Sequence, residues 1–110
     1  MKYNKRITVA IGFIEEYVDL VNDLYNYSIP IDVRPLRSCK AEVLHYNTQE
    51  GDVYLLKSYN TIVAMVDSMC DGFDLLRYVY GFTATSAQHI AKFFADYCGE
   101  QAHIYTYKDR

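Results

Sequence analysis

Thr61-Ile62-Val63-Ala64-Met65-Val66 is the most strand-like stretch of this 110-residue sequence. It is rich in β-branched residues, which favour strands, and apolar side chains occupy both of its alternating faces. A strand that can be buried on both faces belongs in the interior of a sheet. We therefore predict that this strand is central and has neighbouring strands on either side.

Four further strands are predicted around the central one, separated by polar turns. Lys40–Tyr46 and Val53–Ser58 precede it, Phe73–Tyr80 follows it, and His103–Tyr107 is predicted as a last, edge strand. Tyr59-Asn60 is a candidate two-residue hairpin turn, because asparagine tolerates a positive φ. The alternative is one long bent strand through this point.

A first helix is predicted from Lys5 to Tyr27. Apolar residues recur there at spacings of three and four, which is typical of a helix with one buried stripe. Asn4 is the expected N-cap. Pro30 ends the helix, because the residue before a proline avoids the α conformation. Residues 28–38 hold both prolines and are predicted to form a crossing loop.

A second helix is predicted to begin at a capping box, Thr85-Ser86-Ala87-Gln88, with Thr85 as the cap. Gly99 stands where a C-terminal glycine cap is expected. The buried stripe of this helix is predicted to be Ile90, Phe93, Phe94 and Tyr97.

Length and composition fit one compact domain over residues 1–110. A chain of this length buries roughly two-thirds of its unfolded surface, and 51% hydrophobic with 23% charged residues is ordinary globular usage. The predicted element order is α-β-β-β-β-α-β. The fold class is therefore α+β, with a mostly antiparallel sheet of three to five strands and both helices packed on it.

Charge and cysteine usage restrict the partners and the compartment. A formal net charge of −3 argues against a nucleic-acid binder that relies on phosphate contacts. An odd number of cysteines without a Cys-x-x-Cys pair or a signal peptide indicates free thiols in a reducing, cytoplasmic compartment. No apolar run approaches the roughly 20 residues of a membrane span, so no membrane association is expected. The three cysteines are Cys39, Cys70 and Cys98.

No catalytic, cofactor-binding or metal-binding residue is predicted, so the expected protein is not an enzyme. The three histidines, His45, His89 and His103, share no ligand spacing. No glycine pair matches a phosphate-binding loop. The hydroxyls of Thr83, Thr85 and Ser86 offer a conceivable anion site, although helix capping alone explains them.

Four acidic residues are predicted on the solvent side of the first helix, where no lysine or arginine offsets them. Like charges four residues apart cost a few tenths of a kcal/mol. One interpretation is an ordinary solvated face, and the other is a surface for a basic partner protein. The predicted partner-binding residues are Glu15, Glu16, Asp19 and Asp23.

Two segments carry a family resemblance. Ser58-Tyr59-Asn60-Thr61-Ile62-Val63-Ala64 and, later, Phe82 to Phe93 with His89 resemble a family of short phage and plasmid proteins of low-GC Gram-positive bacteria. That family shows Ser-Tyr-x-Thr-x-Val-Ala and then Tyr-Ser-x-Thr-Thr-x-x-His-Ile-x-x-Phe. Phe82-Thr83 replaces Tyr-Ser here, and the match covers roughly residues 53–97. The resemblance implies a genomic context and a fold rather than a chemistry.

These observations predict a non-enzymatic accessory protein of a mobile element that acts in the host cell by binding a host or defence-system protein. The most concrete version is an anti-CRISPR inhibitor of an RNA-guided nuclease. One alternative is a small nucleic-acid-binding module with a local basic patch, and another is a cysteine-dependent enzyme. The patch would comprise Lys2, Lys5, Arg6, Arg34 and Arg37.

A homodimer is also expected, because the apolar face of the first helix is wider than a small sheet needs. Val9, Phe13 and Leu20 form the border of that face.

Overall fold

The computed structural model describes residues 5–37, 40–79 and 83–107. Over these ranges the chain is an α+β fold with one seven-stranded mixed sheet and three helices. The helices are α1 (Ile11–Tyr27), α2 (Leu76–Val79) and α3 (Ala84–Tyr97). The strands are β1 (Lys5–Thr8), β2 (Asp32–Pro35), β3 (Ala41–Thr48), β4 (Gly51–Ser58), β5 (Thr61–Val66), β6 (Gly72–Asp74) and β7 (His103–Thr106).

The strand order across the sheet is β1-β7-β6-β5-β4-β3-β2. The predicted interior position of β5 is confirmed, since it lies between β6 and β4 and is antiparallel to both. The prediction that His103–Tyr107 is an edge strand is wrong. β7 lies inside the sheet and is parallel to both of its neighbours, β1 and β6. The described sheet therefore has more strands than the three to five predicted. It is mixed, because β7 pairs in parallel with both of its neighbours, but the pairings from β2 to β6 are all antiparallel, as predicted for most of the sheet.

The neighbour that covers β7 comes from a segment predicted to be helical. The structure forms strand β1 over Lys5–Thr8 and begins α1 only at Ile11, after Ala10 as the N-cap. Pairing with β7 gives hydrogen-bond partners to the backbone groups of these residues that face the sheet, which outweighs their weak helical periodicity. The end of α1 at Tyr27 agrees with the prediction, and the expected cap, Asn4, lies outside the described residues.

Two other predictions fail where backbone pairing or capping overrides the local pattern. The segment at 28–38, predicted as a crossing loop, contains β2, an edge strand antiparallel to β3. An edge strand tolerates Pro35, because the missing N–H of proline is not needed for a hydrogen bond to β3.

The strand predicted over Phe73–Tyr80 stops at Asp74, whose Oδ1 accepts a hydrogen bond from the Leu76 backbone N–H (3.2 Å). Helix α2 begins at that point, and Tyr80 lies outside the described residues.

The two long helices pack on opposite faces of the sheet, so the prediction that both pack on it is confirmed. Strand β5 contributes to both cores. On the α1 side, Ile62 and Met65 join a core that includes Ile14, Val18, Val21, Leu55 and Phe73. On the α3 side, Val63, Ala64 and Val66 join a core that includes Val43, Leu56, Ile90, Phe93 and Phe94.

A register shift in β5 explains why three of its residues face α3. Leu56 pairs with Ala64 but Lys57 pairs with Ile62, so Val63 is an extra residue in β5. Such a bulge turns two successive side chains towards one face. The Tyr59-Asn60 hairpin just before it is confirmed by the Ser58–Thr61 pairing, and the positive φ falls on Tyr59 (57°).

The cap of α3 differs from the predicted one. Thr83, not Thr85, is the N-cap, and its Oγ1 accepts a hydrogen bond from the Ser86 backbone N–H (3.2 Å). Thr85 lies inside the first turn of the helix. The helix ends with Cys98 as the C-cap, while Gly99 N–H donates to the carbonyl of Cys70 (3.1 Å).

Thr83→Ala should lower the free energy of unfolding by about 1 kcal/mol, because the Ser86 N–H loses its acceptor. Thr85→Ala is the matched control and should change stability by less than about 0.5 kcal/mol. Urea denaturation of both variants measures the difference. Equal losses, or a larger loss from Thr85→Ala, would contradict the assignment of the cap.

Gly72→Ala and Gly12→Ala should change stability in opposite directions. A Cβ at Gly72 would lie 2.7 Å from Ile104 Cδ1 and 2.8 Å from Phe94 Cε1, so we expect a loss of about 1–3 kcal/mol from overpacking. A Cβ at Gly12 meets no atom within 4 Å, and the helical propensity of alanine should add up to about 1 kcal/mol. Thermal denaturation of both variants tests the pair, and a stabilising Gly72→Ala would contradict it.

Candidate functional site

The four predicted partner-binding carboxylates lie on the outer surface of α1. The buried side of this helix is formed by Ile14, Val18 and Val21, so positions on the other side point away from the sheet. Among the described residues, none of the four carboxylates forms a salt bridge. We call this surface the acidic face; its members are Glu15, Glu16, Asp19 and Asp23, all exposed.

Aromatic and apolar groups adjoin the acidic face. The hydroxyl of Tyr78, on α2, donates a hydrogen bond to Glu15 Oε2 (2.8 Å), and this contact is the main cause that raises the pKa of Tyr78. The Tyr78 ring also meets Tyr107 edge-on, with ring centroids 6.3 Å apart. Ile11 and Leu20, on α1 itself, are exposed. The surface therefore combines negative charge with neutral contact area.

A dimer through the first helix was predicted from three border residues, and two of these pack against other parts of the same chain. Val9 and Phe13 pack against the core on the α1 side, where the Phe13 ring contacts the rings of Tyr17 and Tyr105 at centroid distances of 5.1 and 5.3 Å. Leu20 is exposed. The wide apolar face of the helix is thus explained by packing on the sheet, so it no longer argues for a dimer.

A second cluster joins the two segments that carry the family resemblance. Ser58 ends β4, while Ser86 and His89 lie on α3, and all three are buried. Ser58 Oγ lies 2.9 Å from His89 Nδ1 and 3.1 Å from Ser86 Oγ. Ser86 and His89 were predicted only as parts of a helix start, and Ser58 was not predicted as a site residue. The only sequence signal that could have linked the three residues is that both segments belong to the pattern of the phage and plasmid proteins.

We call these three residues the hydroxyl–histidine cluster. Burial lowers the pKa of His89, and the charge of Lys92 adds to the effect, so the imidazole is neutral at neutral pH. The cluster gives each buried polar group a partner and ties α3 to the β4–β5 hairpin. A cavity of about 400 Å³ lies beside it, lined by Ser58, Tyr59, Asn60, Thr61, Val63, Thr83, Thr85 and Ser86.

The chemistry available to this cluster is limited by how His89 is held. A neutral imidazole can accept a proton from a serine hydroxyl, but efficient nucleophiles also need a group that orients the base. Within the described ranges, no carboxylate hydrogen-bonds to His89; its other close neighbour is the Tyr59 ring, with a centroid distance of 5.9 Å. The hydrogen bonds that are present join α3 to the end of β4.

The other described histidines and cysteines do not converge on one site. His45 Nε2 lies 3.0 Å from Asp52 Oδ1, whereas His103 is near Asp71. In the part of the chain that the structure describes, no group of three histidine, cysteine or acidic residues could hold a metal ion. Cys98 is buried, Cys70 is exposed, and Cys39 lies outside the described residues.

Of the basic residues proposed for a nucleic-acid patch, those on described strands lie far apart in the sheet. Lys5 and Arg6 are on β1 at one edge, and Arg34 is on β2 at the other. Arg34 pairs with Asp32 (2.6 Å), and Arg37 forms two hydrogen bonds to Asp96 (2.9 and 2.6 Å). Lys2 lies outside the described residues. The described members of this set therefore do not form one patch.

No known family model, curated protein or solved structure matches the chain. The relation to phage and plasmid proteins therefore stays a prediction. None of the helices formed by the described residues is long and apolar enough to cross a membrane.

The lowered pKa of His89 predicts a stability that depends on pH. An unfolded histidine binds its proton near pH 6.5, above the pKa of folded His89, so acidification favours the unfolded chain. The contribution of His89 should be complete above about pH 6.5 and should be lost as the pH falls towards the folded pKa. Urea denaturation from about pH 7 to about pH 5 measures this slope.

His89→Asn removes the titrating group but keeps a polar atom near the position of Nδ1, so its stability should fall less steeply with acid than that of the wild type. His103→Asn is the control for the loss of an exposed histidine. The same slope in His89→Asn and the wild type would contradict the role assigned to burial.

Proposed function

We propose that the protein acts by binding another protein through the acidic face of α1. The observation that carries this proposal is the row of exposed carboxylates that makes no salt bridge to a described residue. Some acids elsewhere in the described chain pair with cations: Asp32 with Arg34, and Asp96 with Arg37. Other exposed acids, such as Glu42, Glu50 and Glu100, also form no salt bridge to a described residue. The acidic face differs from both groups because its four carboxylates are gathered on one side of a single helix.

The geometry of the row suits an extended basic surface. Glu15, Asp19 and Asp23 are each four residues apart, so they follow one side of α1 over about 12 Å at 1.5 Å per residue. Like charges at this spacing repel each other by a few tenths of a kcal/mol per pair in the free protein. A partner with lysines or arginines would relieve that repulsion on binding. Charge complementarity of this kind mainly raises the association rate and selects the partner.

Neutral contact area beside the charges supplies the remaining requirement of a stable complex. Tyr78 is held in place by its hydrogen bond to Glu15, and Ile11 and Leu20 are about half exposed. Aromatic and apolar anchors carry most of the binding energy in protein interfaces, whereas exposed charges contribute little once screened by salt. The acidic face and these three residues form the proposed interface.

The specific partner that we propose is a defence effector of the host cell, such as an RNA-guided nuclease. Such nucleases hold their guide–target duplex in a positively charged channel, which is a surface that an acidic helix can occupy. The resemblance to phage and plasmid proteins favours a role in overcoming host defence. The protein would then act as an inhibitor, by excluding nucleic acid from the channel.

The triple variant Glu15→Lys, Asp19→Lys, Asp23→Lys tests the proposal. It should lose inhibition in cleavage assays across a panel of defence effectors and should fail to retain the partner in pull-downs. The matched control is Glu42→Lys, Glu50→Lys, Glu100→Lys, which makes the same change in net charge at exposed acids elsewhere. The control variant should keep inhibition if binding depends on the carboxylates of α1 and not on the net charge of the protein.

Binding by the wild type should also weaken as salt rises, because exposed charges are screened beyond about 8–10 Å at physiological ionic strength. Circular dichroism checks that both triple variants remain folded. Equal loss in the two variants would contradict a specific role for α1. Another outcome is that the wild type inhibits none of the effectors but binds another host protein, with that binding lost only in the α1 variant. This result would contradict a nuclease as the partner and would support the acidic face as the interface.

A further inference from the structure

A run of exposed apolar side chains leads from the end of α1 into the edge strand β2. Tyr27 is 85% exposed, Ile29 89%, Ile31 63% and Val33 47%. Four large apolar side chains within seven residues form a concentrated exposed patch, and such patches mark interaction sites in soluble proteins. The first three precede β2 and Val33 lies within it, and the outer edge of β2 has no neighbour in the described sheet.

The backbone of β2 shows which of its groups face outwards. The Leu36 N–H donates to the carbonyl of Ala41 (2.9 Å), the residue opposite Leu36 when the register of β2 and β3 is continued by one position, so Leu36 faces β3. In an antiparallel pair, hydrogen-bonded and non-hydrogen-bonded positions alternate. Val33, which is opposite Leu44, is therefore a position whose N–H and C=O point away from β3 towards the free edge.

Charges on either side of Val33 are self-complementary. Asp32 and Arg34 flank it, are both solvent-accessible, and form a salt bridge of 2.6 Å within the chain. If a second copy of β2 runs antiparallel with Val33 opposite Val33, each Asp32 lies opposite Arg34 of the other copy. A parallel arrangement would place like charges together, which is unfavourable across strands.

We infer that β2 pairs with β2 of a second copy of this chain in an antiparallel arrangement centred on Val33. The two Val33 residues exchange main-chain hydrogen bonds, and the two Asp32–Arg34 pairs form between the copies. The sheets of both copies then become one continuous sheet around a two-fold axis. The exposed run from Tyr27 to Val33 is placed at the junction, where the partner copy can cover it.

Proline limits how far this pairing extends. The next outward-facing position along β2 is Pro35, which has no N–H to donate, and the Ile31 N–H is already bonded to His45. The contact therefore uses one short stretch and closes on itself as a dimer, because the same patch is used by both copies. A strand from a different protein would pair equally well with β2 only if it carried acidic and basic residues in the same order.

Charge variants test the inference without removing apolar surface. Asp32→Arg and Arg34→Asp each place like charges opposite one another in the dimer, so each should weaken dimerisation at least about tenfold. The double variant that exchanges Asp32 and Arg34 keeps the composition and restores complementarity, so it should dimerise like the wild type. Sedimentation equilibrium over micromolar to millimolar protein measures the dissociation constants.

Mixing the two single variants gives the most specific readout. Asp32→Arg has two arginines and Arg34→Asp has two aspartates around Val33, so an equimolar mixture should form a heterodimer that neither variant forms alone. Val33→Pro removes the outward N–H and should give a monomer. Circular dichroism confirms that each variant is folded.

A wild type that is monomeric at millimolar concentration would overturn the inference. This holds also if the free edge of β2 is then found to bind a strand of a different protein. A dimer unaffected by the charge variants would also overturn it, by placing the interface elsewhere. The same holds if the two single variants fail to associate on mixing.

Discussion

Strand β5 is buried between two hydrophobic cores, and its apolar side chains on both faces allow α1 and α3 to pack on opposite sides of the sheet. Ile62 and Met65 face α1, while Ala64 and Val66 face α3. The extra residue, Val63, lies on the α3 side and adds to the surface on which that helix rests. A polar side chain introduced on either face of β5 would be buried without a hydrogen-bond partner, which should lower the free energy of unfolding by several kcal/mol.

The hydroxyl–histidine cluster lies at one end of this arrangement. Ser58 ends the strand that pairs with β5, and Ser86 and His89 lie in the first half of α3. Their mutual hydrogen bonds satisfy three buried polar groups, and the neutral imidazole avoids the cost of burying a charge. A network of this kind fixes the helix in one position more specifically than apolar packing alone, since its bonds require a defined geometry.

The outer surfaces follow from the same architecture. Because α1 turns its apolar stripe to the sheet, its carboxylates lie outside, where they are available to a partner. Because the sheet is open, it leaves two edges, and the described structure assigns one to β1 and the other to β2. The strand order also separates Lys5 and Arg6 from Arg34 by the whole width of the sheet. The two proposed contacts use these surfaces, the acidic face of α1 and the free edge of β2.

The sequence by itself determined the elements whose signals are local. The apolar character of both faces identified β5 as interior, and the periodicity of residues 90–97 identified the buried stripe of α3. The Tyr59-Asn60 turn was one of two alternatives at that point, suggested by the tolerance of asparagine for a positive φ. The exposure of Glu15, Glu16, Asp19 and Asp23 was also predictable, because the same periodicity that buries Ile14 and Val18 turns these positions outwards.

Only the tertiary structure decided the elements that depend on partners distant in the chain. Lys5–Thr8 is a strand because β7 is available to pair with it, and β7 is interior because β1 covers its outer side. β2 exists because β3 offers it an edge, although two prolines nearby favour a loop. The meeting of Ser58 with His89 depends on how α3 docks. Main-chain pairing and helix docking are set by the whole fold, whereas periodicity and turn chemistry are properties of a few neighbouring residues, and for that reason the sequence could predict only the latter.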